Sequence, residues 1–244
     1  GKREKIMRIK ISDKKEQENN REYVYRVLRD NIMTLNLLPG TTVNEGELAE
    51  LFHMSRTPVH EAVLMLKEES LVDVYPQSGS RISYIDLDIL KEGLFLRSVI
   101  EPEIIAQLQG QVSTSAVGAL QENLQAQKEA LQNLEEERID PFFKLDDAFH
   151  HLIYQIAGKH RTWYAVKSVS THYDRVRYLD AIRNHRELEK IYQEHRKIFN
   201  LLLLGSSGDF SLKNFYDGHL GSYREGFPEI LEKYPEYFSL TKSF

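Results

Sequence analysis

Cysteine is absent from the 244 residues, which excludes disulfides and thiolate metal sites together. No apolar run approaches the ~20 residues needed to span a bilayer. The charged N-terminal stretch is not followed by the apolar segment of a secretory signal. These absences predict a cytoplasmic protein with no membrane partner. Net positive charge is missing too, the formal balance being −5. Residues 1–85 carry 13 basic and 13 acidic side chains, so the whole deficit lies beyond them. Any contact with DNA must come from charge arranged on one face. There is no His-Glu-x-x-His helix, no Gly-x-Ser-x-Gly elbow and no glycine-rich phosphate loop. Internal repeats and low-complexity segments are lacking as well.

What is present suffices for a core: 41% of residues are hydrophobic and 28% charged. The length allows one large domain or two ordinary ones. Residues 1–18 are polar and charge-mixed, which predicts a flexible tail. Residues 19–85 predict a winged helix-turn-helix. A first helix runs from about Arg21 to Leu35 on Tyr23, Val27, Ile32 and Leu35, and Pro39-Gly40 ends it with a turn. Asn44 caps a short helix over 45–52. Ser55 caps a third over 56–68, which buries Val59, Ala62, Val63 and Leu66. Strands over 72–75 and 81–84 flank Pro76-Gln77-Ser78-Gly79 as a small β-hairpin wing. In such a module the second helix of the motif enters the major groove. Arg56, Thr57 and His60 are then left outward, to meet phosphates or base edges.

Residues 86–238 predict six helices, over 88–109, 114–137, 141–157, 162–182, 186–204 and 210–233. Their short connections favour an antiparallel bundle, and the fold class is mainly α. Three of these helices place metal-grade side chains on the apolar stripe. Asp146 and His150 sit one turn apart among Phe142, Leu145, Phe149, Leu152, Ile153 and Ile156. His195 lies within Leu188, Ile191, Ile198 and Leu202. His219 lies within Leu212, Phe215, Tyr216 and Tyr223. A buried carboxylate is costly without a compensating charge. Convergence of the four groups therefore predicts a divalent metal site, and three imidazoles with one carboxylate suit Zn²⁺, Ni²⁺, Mn²⁺ or Fe²⁺. His151 points about 100° away from His150 and is not expected to ligate. On the stripe of the first bundle helix, Arg97 either pairs with Glu101 one turn on or grips an anionic ligand.

The run Leu48-Ala49-Glu50-Leu51-Phe52-His53-Met54-Ser55-Arg56-Thr57-Pro58-Val59-His60-Glu61-Ala62 resembles the GntR-family helix-turn-helix core, LAE-x-L-x-VSRTPVREA. The likeness continues through Leu66, Leu71-Val72 and Gly79. It implies DNA contacts from Arg56, Thr57, His60 and the wing's Gly79. Two departures stand out. Gly46 replaces an arginine usual before the Glu-Leu-Ala, and His60 replaces the arginine of VREA. Both positions often contact DNA in the family, so the resemblance implies an unusual operator or affinity.

Arg97-x-x-x-Glu101, Asp146-x-x-Phe149-His150, Glu194-His195-Arg196-x-Ile198 and His219-Leu220 resemble the FCD ligand-binding domain of the FadR-type GntR regulators. The count of six helices is similar to the VanR subgroup. In that family the matching Asp and three His hold a metal, and small carboxylates complete its coordination. The resemblance thus implies a metal on Asp146, His150, His195 and His219. Arg97 is the candidate effector-binding cation and Arg177 a second one, at a position where the family varies. In Gly205-Ser206-Ser207-Gly208-Asp209 the family's Gly-Asp is kept, but not its following alanine. The implied function is a metabolite-responsive transcriptional regulator: a homodimeric repressor that leaves double-stranded operator DNA when a small carboxylate binds. The alternatives are a metal-dependent hydrolase activating water and a purely structural metal. No catalytic residue is assigned.

Overall fold

The computed structural model describes residues 9–75, 79–134, 139–206 and 208–239. Residues 1–8 of the expected tail, Pro76, Gln77 and Ser78 of the expected turn, the end of the second expected bundle helix and Ser207 lie outside them. Eleven α-helices and three short strands occur among the described residues, and the chain is mainly α. It divides into two compact units.

The first unit contains α1 (Asn20–Met33), β1 (Thr42–Val43), α2 (Glu45–Leu51), α3 (Arg56–Glu68), β2 (Val72–Tyr75) and β3 (Gly79–Ile82). A capping box opens α1: the Asn19 side chain accepts from the Glu22 amide while the Glu22 carboxylate accepts from the Asn19 amide. Asn44 caps α2 by accepting from the amides of Gly46 and Glu47. Ser55 stands extended at the N-cap of α3 but makes no side-chain capping bond, unlike the expectation. The face α3 buries is the expected Val59, Ala62, Val63 and Leu66. Together with Val24, Val27, Leu28 and Ile32 of α1 and Leu48 of α2, it forms one core. The sheet is antiparallel in the order β1-β3-β2. Tyr75 pairs with Gly79, and β3 begins two residues before the predicted strand.

Residues 9–18 have no regular secondary structure, as a tail should, but they are tied down. Ile9 packs on the core, Lys10 exchanges backbone hydrogen bonds with the Asn31 side chain, and Arg26 binds Glu18, Ser12 and the Asp13 carbonyl. A buried asparagine needs partners for its amide, and the extended backbone supplies them.

The first unit also takes in the beginning of the following helix up to Leu90, the segment Ser168–Arg175 and the chain from Leu231. Within it, the Thr171 hydroxyl donates to the Glu69 carbonyl at 2.7 Å. His172 Nδ1 accepts from the Asp86 amide at 2.8 Å, and Nε2 donates to the Ser70 carbonyl at 2.8 Å. Arg175, fully buried, donates to the Ser83 carbonyl at 2.8 Å. Burial pulls the Arg175 guanidinium down to about 9. His172 lies on no apolar stripe of the sequence, yet it is buried. Burial, followed by the Arg175 charge, pushes its imidazole down to about 3. The unfolded chain therefore takes up a proton that the native protein refuses between the ordinary 6.5 and about 3. Stability should be level above pH 6.5 and fall on acidification below it, by up to about 1.4 kcal/mol per pH unit from this group. In urea titrations at pH 7.5, 5.5 and 4.5, His172→Gln should be the less stable protein at pH 7.5 yet show the shallower decline. An unchanged slope would remove His172 as the source.

The second unit holds most of α4 (Leu87–Leu108), then α5 (Thr114–Gln132), α6 (Asp140–Ile156), α7 (His160–Val169), the later part of α8 (Thr171–Arg183), α9 (Arg186–Leu204), α10 (Leu212–Leu220) and the start of α11 (Phe227–Lys233). α5 packs against both α6 and α9. Two of the six expected helices are each divided. The first breaks at Ser170, whose carbonyl accepts the opening bond of α8 from the Asp174 amide at 2.8 Å. The second breaks at Gly221, where a Cβ would stand 2.5 Å from the Asp217 carbonyl.

Candidate metal centre and DNA-reading face

The stripes read from sequence largely overlap the buried faces observed, although Leu145, Leu152, Ile156, Leu212 and Phe215 are only half-buried and Tyr154, Leu201 and Leu220 are buried outside them. α6 buries Phe142, Asp146, Phe149, His150, Ile153 and Tyr154. α9 buries Leu188, Ile191, His195, Ile198, Leu201 and Leu202. α10 buries Tyr216, His219 and Leu220. The packing brings one nitrogen each of His150, His195 and His219 within 4.8 Å of one another. His219 Nε2 and His150 Nε2 are 3.5 Å apart. His195 Nε2 is fully buried without a well-formed hydrogen bond, 3.3 Å from Asp146 Oδ1.

Each ring is oriented from behind. His195 Nδ1 donates to Gln127 Oε1 at 2.8 Å, His219 Nδ1 to Glu194 Oε2 at 2.7 Å, and His150 Nδ1 faces Glu101 Oε2 at 3.1 Å. Acceptors on all three Nδ1 atoms place the protons there and turn the Nε2 lone pairs inward, the arrangement that supports ligating histidines. Burial lowers the pKa of all three imidazoles. They therefore stay neutral, the form that binds metal.

Asp146 stands beside this trio rather than as an equal fourth member. Arg177 grips it with both terminal nitrogens, at 3.0 and 3.3 Å. Burial would raise the Asp146 carboxyl, but the Arg177 charge and then His195 hold it well below the ordinary carboxylate range. Arg177, expected on an effector anion, is here the counter-ion of Asp146. Arg97 takes the simpler of its two readings, with Nε 2.7 Å from Glu101 Oε1 and both groups buried. Burial would raise Glu101, yet Arg97 and His150 keep it low. Glu101 thus holds an arginine and a histidine at once. The buried hydroxyls of Tyr154 and Tyr216 feel the same Glu101 charge and lack well-formed hydrogen bonds. His151 is elsewhere, stacked on Trp163 with ring centroids 5.4 Å apart.

Gln127 escaped the sequence reading, Glu194 entered it only within a family motif, and Glu101 was given no role beyond that of a partner of Arg97. Signals existed for each. Gln127 shares a face of α5 with Leu120 and Leu124, where an amide without a partner would be costly. Glu194 precedes a stripe histidine directly.

On α3, Arg56, Thr57 and His60 are exposed, opposite the buried face. Gly79 is exposed with φ +86°, a left-handed backbone that favours glycine. The described atoms would leave a Cβ there in open space, so conformation is the constraint.

Comparison with known proteins agrees with both regions. Residues 20–82 match the model described as bacterial regulatory proteins, gntR family, and residues 92–208 match the FCD domain. The chain is 31% identical over 218 residues to the HTH-type transcriptional repressor RspR of Escherichia coli (strain K12), covering 89% of this chain and 93% of that one. It is 34% identical over 221 residues to an HTH-type transcriptional regulator in an unstable DNA locus of Streptomyces ambofaciens, covering 90% of each. Among solved structures, E. coli McbR/YncC has a similar fold, with a TM-score of 0.69 at 20% identity over 89% of this chain and 99% of that one. A GntR transcriptional regulator from Rhodococcus sp. RHA1 has a TM-score of 0.65 at 20% identity, over 86% and 97%.

Proposed function

From the premise that the chain belongs to the GntR family of bacterial regulatory proteins, we propose that it represses transcription and releases its operator when a small organic acid binds beside a resident metal ion. Membership makes it a transcriptional regulator with a DNA-binding helix-turn-helix and an FCD domain. The finer reading assigns residues 19–85 to operator binding, through Arg56, Thr57, His60 and Gly79, and residues 86–238 to sensing. His150, His195, His219 and Asp146 would hold the divalent ion, zinc, nickel, manganese or iron. The observation that carries this is the trio of buried imidazoles, each fixed at Nδ1 by its own acceptor and turned by Nε2 toward the others.

Charge supports an anionic effector. Around the cluster, Glu101, Asp146 and Glu194 oppose Arg97 and Arg177, leaving one negative charge unbalanced. When bound, a divalent ion supplies open coordination and reverses that sign, which suits a carboxylate. Arg97 and Arg177, engaged with Glu101 and Asp146 in this structure, would orient such a ligand by sharing their guanidinium groups with it, and the hydroxyls of Tyr154 and Tyr216 are further donors. The carboxylates at the cluster are engaged with histidine or arginine rather than placed as general bases, which favours sensing over hydrolysis.

The name of RspR describes that relative as a repressor, and the same sign is adopted here. A homodimer in the cytoplasm would match paired operator half-sites. Phe95 and Val99, one turn apart on α4 and 67% and 54% exposed, offer an apolar face for that pairing. No helix among the described residues is long and apolar enough to cross a membrane.

Gel-shift titration of the full chain against its own upstream DNA, with metal and a panel of mono-, di- and tricarboxylates, tests the reading. One acid should weaken binding tenfold or more, an effect absent after chelation. Unchanged affinity with every acid would leave only a structural metal.

A further inference from the structure

The two positions where the helix-turn-helix departs from its family pattern, Gly46 and His60, both face neighbours across α2 and α3. Both Glu45 carboxylate oxygens lie against His60 Nδ1, at 3.0 and 3.1 Å. The next residue, Gly46, has no side chain, and a Cβ there would stand 3.2 Å from a terminal nitrogen of Arg56. The first turn of α2 thus cradles the two long reading side chains of α3, four residues apart on its exposed face. We propose that Glu45 and His60 form a base-reading pair that selects an amine-bearing base, adenine or cytosine, in the major groove.

A carboxylate at Nδ1 draws the ring proton to that nitrogen and fixes the ring's direction. Nε2 is then left with a lone pair, on an imidazole whose side chain is 55% exposed. A lone pair accepts; it cannot donate. In the major groove, adenine N6 and cytosine N4 present donors, whereas guanine presents only the acceptors N7 and O6. Guanine would oppose acceptor to acceptor, with the Glu45 charge close behind. An arginine at the same place donates only and favours guanine. Glu45 therefore changes what the position reads, and Gly46 leaves room for Arg56 to lie beside the pair.

Selection of binding sites from a randomised DNA library by the full-length protein tests this, with wild type, Glu45→Ala and His60→Arg run in parallel. His60→Arg should convert one position in each half-site to guanine. At that same position the wild type should prefer adenine or cytosine over guanine by about tenfold. Glu45→Ala should abolish that preference and leave the other positions intact. Overall affinity for non-cognate DNA should rise, since a negative charge near the phosphates is gone. Three results overturn the proposal: a wild-type preference for guanine there, an unchanged profile in Glu45→Ala, or no position that responds to His60→Arg. The first would mean that Nε2 donates instead of accepting, and the second an intramolecular tie without a reading role.

Discussion

His195→Ala should purify with essentially no bound metal, whereas elemental mass analysis of the wild type should find one divalent ion per chain. His195 sits at the centre of the buried trio, its ring 5.1 Å from that of His150 and 5.3 Å from that of His219. Among the described residues, His150, His195 and His219 are the group of ligand atoms that meets there, with no fourth member to take its place. Glu194→Gln provides the graded control. It keeps the size of the group behind His219 but removes the charge that sharpens the imidazole, so affinity should fall about 10–100-fold. A chelating dye in competition reads both variants. Stability should follow affinity, because an ion at 100 times its Kd adds about 2.7 kcal/mol to the native state. The wild type should therefore gain in melting temperature on metal addition, Glu194→Gln less, and His195→Ala not at all. Circular dichroism confirms that the helices persist. Full metal content in His195→Ala would show that the ion, if any, lies elsewhere.

Acid should act on the same site in a defined direction. Burial lowers the pKa of all three imidazoles, so protons compete poorly with the metal around pH 6.5. Affinity should hold through that region and fail only on further acidification.

The faces that carry the candidate ligands could be read from sequence because each is written locally. A helix of 3.6 residues per turn puts Asp146 and His150 on one stripe whatever the rest of the chain does. The same holds for His195 among Leu188, Ile191 and Ile198. The outward positions of α3 follow as directly, from four apolar residues that must face α1. Features set by two distant segments were out of reach. Gln127 and His195 are 68 residues apart, and nothing local announces that α5 carries the acceptor for α9. β1 is two residues long and exists only because β3 passes beside it. The burial of His172 is not written locally, because its partners are backbone groups of Ser70 and Asp86, which any sequence would have. The pairing of Arg177 with Asp146 was not legible, since a guanidinium suits an internal carboxylate as well as an external one and the two residues are 31 positions apart.

That partner makes Arg177 the site of the second large effect. Asp146 has no accessible surface and its carboxylate is held ionised chiefly by Arg177. Arg177→Met keeps the stem over the Phe143 ring, 5.6 Å from which the guanidinium now sits, and removes the charge. An unpartnered buried carboxylate costs about 3–5 kcal/mol, so in the presence of chelator the variant should melt roughly ten degrees lower. A divalent ion beside Asp146 replaces the lost positive charge, so metal should raise the melting temperature of Arg177→Met more than that of the wild type. Adding Asp146→Asn should recover much of the chelated loss, because a neutral amide no longer needs a counter-ion; that non-additivity measures the pair directly. The contribution of the pair should be complete above the ordinary carboxyl value of 3.8 and disappear as pH falls through the depressed one. Arg177→Met that melts like the wild type without metal would mean the carboxylate is compensated by something else, and Asp146 would lose its claim as the fourth ligand.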